Sequence, residues 1–142
     1  MDVTATLTTE RAPEALFAVV GDLGTYPLWL DIVPHAHASA FDDSWSVQLR
    51  GRLGPFARSK RLRMVRTTYD APRLVVFERQ ERDGRDHAPW VLTAAVAASP
   101  PGSALTMRLH YGGGLFGPVV ERLLREEIER SKPKLLALLD QS

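Results

Sequence analysis

The sequence predicts an α+β fold in which a first β-strand is followed by two short helices, a meander of antiparallel strands and one long helix. Three observations support this prediction. Apolar and polar residues alternate in many segments up to about residue 111. Short segments rich in glycine, proline and aspartate separate the alternating segments, as expected for tight turns. The last part of the chain changes to a helical pattern.

The N-terminal segments have the patterns of one strand and two short helices. Val3, Ala5 and Leu7 alternate with threonines, which indicates a strand with one buried face. In the segment "APEALFAVVGDLG", Pro13 suits the first turn of a helix and the apolar residues fall on one side. The segment "TYPLWLDIV" then predicts a second short helical turn.

The middle of the chain predicts an antiparallel meander. The turn-like segments "YDAP", "RDGRDH" and "SPPGS" separate its alternating stretches, and loops this short favour antiparallel neighbours. The alternating stretches are "SWSVQLRGRL", "RSKRLRMVRTTY", "PRLVVFERQER", "APWVLTAAVAA" and "ALTMRLHY".

The C-terminal segment predicts a long amphipathic helix. Pro118 suits its first turn, and glycines at positions 112–114 interrupt the preceding strand. A helix over 116–139 would be about 36 Å long, which is close to the length of about 33 Å for a strand of ten residues. One helix could therefore cover the sheet from end to end.

Composition narrows the possible functions. The chain of 142 residues has a net charge of +1, so no overall field indicates nucleic acid or an anionic membrane as partner. There is no cysteine, which excludes disulfides, thiolate metal sites and a cysteine nucleophile. Neither a signal peptide nor an apolar run long enough for a membrane span is evident. We expect one cytoplasmic domain over residues 1–142, and its oligomeric state is left open.

The order of elements, together with the segment "APEALFAVVGDLGTYPLWLDIV", resembles the START-like superfamily, also called the SRPBCC or polyketide cyclase/dehydrase and lipid-transport group. The positions that match the family pattern are Ala12-Pro13, Asp22, Tyr26-Pro27 and Trp29. The resemblance implies a helix-grip fold, in which a curved antiparallel sheet of seven strands wraps around the C-terminal helix. It also implies a ligand cavity between the sheet and that helix, but it does not specify a ligand, because relatives include carriers, cyclases and receptors.

Within that fold, the apolar faces of the strands and of the long helix supply candidates for a ligand-binding wall. Most such residues in any protein form core, and the sequence does not separate core from cavity lining. The candidates are Trp29, Leu62, Met64, Arg66, Trp90, Leu92, Met107, Leu109, Tyr111, Phe116, Val120, Leu123 and Glu127.

Two polar residues stand out among these candidates. Glu127 falls in the apolar sector of the long helix, where a carboxylate is costly to bury without a partner. Alternation from Leu62 and Met64 carries Arg66 to the inward face of its strand. One hypothesis is that Glu127 and Arg66 meet and orient a ligand; the alternative is that Glu127 reaches solvent or that a bulge turns Arg66 outward.

Three functions remain open at this point. The favoured one is binding of a small hydrophobic molecule such as a lipid, quinone or polyketide. The second is a polyketide aromatase/cyclase or dehydrase whose acid and base groups would come from Glu127, Arg66, Tyr69 and Tyr111. The third is an interaction module that acts through the basic strand 58–66. His35 and His37 share a strand face, but no third ligand has a supporting spacing, so neither a metal nor another cofactor is predicted.

Overall fold

A computed structural model describes residues 1–50, 59–112 and 117–141 of the chain. Its elements follow the predicted order, with six strands between the two short helices and the long helix. The strands are β1 (Asp2–Thr9), β2 (His35–Ala38), β3 (Ser44–Arg50), β4 (Ser59–Asp70), β5 (Leu74–Arg79), β6 (Trp90–Ser99) and β7 (Gly102–Tyr111). The helices are α1 (Pro13–Val20), a 3₁₀ helix (Leu23–Leu28) and α2 (Gly117–Asp140).

All seven strands form one antiparallel sheet in the order β1-β7-β6-β5-β4-β3-β2. Each strand from β2 to β7 lies beside the next one in the chain, as short connections favour. The first strand pairs with the last, so β1 and β2 form the two edges. The predicted α+β fold with a seven-stranded antiparallel sheet is confirmed.

The junction between the two N-terminal helices is held by local hydrogen bonds. The N–H of Gly21 donates to the carbonyl of Phe17 and ends α1. Asp22 accepts from the N–H of Gly24 at 2.8 Å, which satisfies one of the free donors at the start of the 3₁₀ helix. The hydroxyl of Tyr26 then reaches back to the carbonyl of Val20 at 2.8 Å. This buried bond fixes the angle between the two helices.

One face of the sheet, here called the inner face, packs against the helices. Residues on this face alternate with outward residues on every strand, and its buried members include Val47, Leu62, Val75 and Phe77. The second half of α2 joins this core through Leu135 and Leu139. None of the described helices is long and apolar enough to cross a membrane.

Strand β4 contains a β-bulge that changes which residues face inward. Arg66 pairs with Phe77, but Thr68 pairs with Val76, so one residue of β4 is extra. Because Phe77 and Val75 are both inner residues, Arg66 and Tyr69 both face inward although they are three positions apart. Without the bulge, alternation would send Tyr69 to the outer face.

Candidate functional site

A cavity of about 100 Å³ lies between the sheet and α2. Its walls come from three parts of the chain: the inner faces of β1, β6 and β7, the 3₁₀ helix with the segment that follows it, and α2. The lining residues are Val3, Ala5, Thr6, Leu7, Tyr26, Trp29, Leu30, Ile32, Leu92, Leu105, Met107, Leu109, Leu124, Glu127, Ile128, Ser131, Lys132 and Leu135.

The wall of this cavity is almost entirely apolar. Its one phenol, on Tyr26, is buried, and its hydroxyl donates to the carbonyl of Val20. Burial raises the pKa of Tyr26 far above its usual value, with a further contribution from the charge of Asp22, so the phenol stays neutral. Ser131 donates its hydroxyl to the carbonyl of Ile128 within its own helix. The hydroxyls of Tyr26 and Ser131 are therefore bonded within the protein, whereas the buried indole N–H of Trp29, which also lines the cavity, has no partner among the described residues.

The charged residues that border the cavity are paired along α2. Glu127 forms a short ion pair with Arg130, and its side chain is 16% exposed. Lys132 donates to Glu129 at 2.7 Å. Both pairs join residues three positions apart, which places them on the helix surface. Glu127 thus reaches the margin of the cavity with its charge already matched.

Some of the predicted ligand-binding residues border the cavity and others do not. Those that border it are Trp29, Leu92, Met107, Leu109 and Glu127. Leu62 and Met64, on the inner face of β4 between β3 and β5, instead belong to the filled core. Trp90 and Tyr111 stack on each other at 5.2 Å beside the cavity, and Leu123 lies on α2 outside the lining. Phe116 and the side chain of Val120 lie outside the described residues.

The hypothesis that Glu127 pairs with Arg66 is wrong. Arg66 does lie on the inner face, but its guanidinium donates to the carbonyl of Gly21 at 2.9 Å. It also lies 4.0 Å from the ring centroid of Tyr69 and 5.3 Å from that of Trp45. A cation at this position complements the partial negative charge at the C-terminal end of α1. Arg66 therefore holds α1 against the sheet and lies 3.6 Å from Asp43, whereas Glu127 pairs with Arg130 on α2.

The four candidate acid and base groups do not converge. Tyr69 is half-exposed and covers Arg66, whereas the hydroxyl of Tyr111 donates to the sulfur of Met1, which directly precedes β1. Burial raises the pKa of Tyr111, with a smaller contribution from Glu121. Only Arg66 and Tyr69 are in contact, and neither borders the cavity. No proton-transfer pair within the described residues faces the cavity.

Sequence reasoning missed most of the lining. Val3, Ala5 and Leu7 have a clear alternation, but their place in the wall depends on the pairing of β1 with β7. Ala5 is a small residue that would not suggest a binding wall, yet a small side chain leaves room for a cavity. Ile32 lies in an irregular segment with no periodic signal.

The basic strand 58–66 does not present a single basic face. Lys60 and Arg66 face inward and Arg61 and Arg63 face outward, where Arg63 binds Asp42 at 2.9 Å. Arg58 lies outside the described residues. The rings of His35 and His37 stack at 5.9 Å, and the described residues contain no group of three or more metal-ligating side chains.

The sequence pattern of the family described as polyketide cyclase / dehydrase and lipid transport matches residues 1–139. The chain belongs to this family. No functionally curated protein matches the chain.

Solved structures show the same fold at low sequence identity. A START superfamily protein from Mycobacterium smegmatis is 16% identical with a TM-score of 0.77, and the match covers 99% of this chain and 97% of that one. The AHSA1 protein from Silicibacter pomeroyi is 24% identical with a TM-score of 0.63 and 99% of each chain covered. Protein CV1439 from Chromobacterium violaceum is 10% identical with a TM-score of 0.72, covering 97% and 96% of the two chains.

Proposed function

We propose that this protein binds a small hydrophobic molecule in the cavity between the sheet and α2 without transforming it chemically. The observation that supports this proposal is the almost entirely apolar wall, in which the hydroxyls of Tyr26 and Ser131 are bonded within the protein. An apolar pocket gains affinity from removing hydrocarbon from water and needs no reacting group. The family supports a hydrophobic ligand as well.

The size of the cavity limits the shape of this ligand. An engineered cavity of about 150 Å³ holds benzene, and pockets for drug-sized ligands measure about 300–1,000 Å³. The cavity is partly open, so about 100 Å³ suits the end of an alkyl chain better than a set of fused rings, and the rest of a longer chain would lie along the opening. A polycyclic polyketide would need α2 to move away from the sheet.

The proposal predicts that filling the cavity abolishes binding. In Ala5→Phe the new ring projects from β1 into the space beneath α2. Isothermal titration with decanol should show binding to the wild type and at least about tenfold weaker binding to this variant, because the chain loses its contact surface.

The matched control is Ala97→Phe. Ala97 is exposed and lies on the outer face of β6, so the same substitution leaves the cavity unchanged and should leave decanol binding unchanged. Equal binding of decanol to the wild type and to Ala5→Phe would contradict the proposal. Independently of this comparison, native mass spectrometry of protein from its own host, followed by lipid extraction, would identify the natural ligand.

A further inference from the structure

The inner face carries one cation that no carboxylate of the described residues neutralises. Lys60 pairs with Leu49 across β3 and β4, and Leu49 packs against the core from the inner face. Alternation with Leu62 and Met64 also directs Lys60 inward. Among the described residues, no aspartate or glutamate lies within ion-pair distance of its ammonium group.

The protein groups around Lys60 disfavour its charge, although the residue is exposed and an anion from solvent can reach it. Partial desolvation by the surrounding protein lowers the pKa of Lys60, and repulsion from Arg79 lowers it further, against a smaller opposing effect of Glu81. Glu81 is already engaged, because its Oε1 accepts from the backbone N–H of Arg63 at 2.7 Å and from Arg79 at 3.2 Å. An anion placed beside Lys60 would remove this imbalance.

Trp90 connects Lys60 with the cavity. The ammonium group of Lys60 lies 5.8 Å from the centroid of the Trp90 ring, within the range of a cation–π contact. Trp90 also packs against the cluster formed by Val3, Tyr111 and Leu124, and Val3 and Leu124 line the cavity. One tryptophan therefore contacts both the unneutralised cation and the apolar cluster beside the empty volume.

We infer that the ligand is an anionic amphiphile, whose carboxylate binds Lys60 and whose slim alkyl chain passes Trp90 into the cavity. This inference rests on the proposed function, since it names the class of ligand for the same cavity. The ammonium group matches the carboxylate of a fatty-acid-like molecule, and the tryptophan and the apolar cavity match its alkyl chain. A neutral alcohol with the same chain would fill the cavity but leave Lys60 unpaired.

The test compares decanoate with decanol, which share the alkyl chain and differ in the head group. By isothermal titration at neutral pH, the wild type should bind decanoate about fivefold to tenfold more tightly than decanol. Lys60→Met keeps the length of the side chain but removes the charge, so it should abolish this preference while decanol binding stays unchanged. Lys60→Arg keeps the charge and should retain most of the preference.

The matched control is Arg61→Met, which makes the same change of net charge at the next residue. Arg61 is exposed on the outer face, so its loss should leave the preference for decanoate intact. Equal affinities of the wild type for decanoate and decanol would overturn the inference while leaving the proposed function standing. An equal loss of preference in Lys60→Met and Arg61→Met would also overturn it, because the effect would then follow from net charge alone. Binding of neither molecule would overturn both proposals.

Discussion

The two halves of the inner face are built differently. The half formed by β3, β4 and β5, here called the closed half, is filled by side chains such as Leu62 and Phe77, which are 2% and 0% exposed. The half formed by β1, β7 and β6, here called the cavity half, leaves about 100 Å³ empty beneath α2.

Polar groups are distributed unequally between the two halves as well. In the closed half, Arg66 bonds the end of α1 and lies against two aromatic rings. In the cavity half, the phenol of Tyr26 turns away from the empty space to bond Val20. The comparison teaches that tight packing in one half is compatible with an incompletely packed second half, which leaves room for a ligand.

The largest expected effect comes from shortening one leucine in each half. Leu62→Ala should lower the free energy of unfolding by about 4 kcal/mol, because a fully packed side chain leaves a cavity behind. Leu92→Ala should cost only about 2 kcal/mol, since Leu92 is partly buried and already borders empty space. Urea denaturation of both variants measures the difference.

The same pair separates stability from binding. Leu92→Ala enlarges the cavity and should allow benzene to bind, whereas Leu62→Ala should not change the binding of decanol. Equal costs for the two leucines would show that the cavity half is packed as tightly as the closed half.

The next effect concerns the bond between β4 and the end of α1. Arg66→Met should lower the free energy of unfolding by about 2–3 kcal/mol, because the buried carbonyl of Gly21 loses its donor and the methionine replaces only the aliphatic part of the contact. Urea denaturation measures this contribution. The control is Arg61→Met on the outer face, which should change the free energy of unfolding by less than about 0.5 kcal/mol. A loss of ligand binding without a loss of stability would instead return Arg66 to the binding site.

The smallest effect is a pH dependence at the edge of the closed half. A hydrogen bond from the hydroxyl of Ser44 lowers the pKa of Asp42, and Ser39, Arg63 and Arg82 lower it further. A carboxyl whose pKa is lowered on folding stabilises the protein above its unfolded pKa of about 3.9, and this contribution is lost as the pH falls through the folded pKa.

The stability advantage of the wild type over Asp42→Asn should therefore be constant above about pH 5 and should shrink below about pH 4. Thermal unfolding of the two proteins across this range measures it. An advantage that stays constant down to pH 2 would contradict the assignment of the pKa shift to Asp42.

The fold could be predicted from the sequence because its signals are local. Alternation on each strand, prolines at helix starts and the length of the last segment each depend on neighbouring residues. The position of Arg66 on the inner face also followed from alternation. Its partner did not, because the end of α1 comes near β4 only through the packing of the whole chain.

The site was harder to predict for the same reason. Leu92, Met107 and Leu109 share their pattern with Leu62 and Met64, yet only the first three border empty space. Whether an inward residue fills a core or lines a cavity depends on what lies above it, and here that is α2 and the segment around Ile32. The sequence contains no signal for the empty volume itself.

The extra residue in β4 also affects how this chain can change by deletion. Thr67 is exposed and has no partner on β5, so its side chain could be replaced with little cost. Its deletion would leave Thr68 opposite Val76 and Tyr69 opposite Val75, so β4 would return to regular pairing and Tyr69 would stay beside Arg66. Deletion of a paired residue such as Val65 would instead send the residues on one side of the gap to the opposite face, so this strand should tolerate the loss of a residue better at the bulge than at its paired positions.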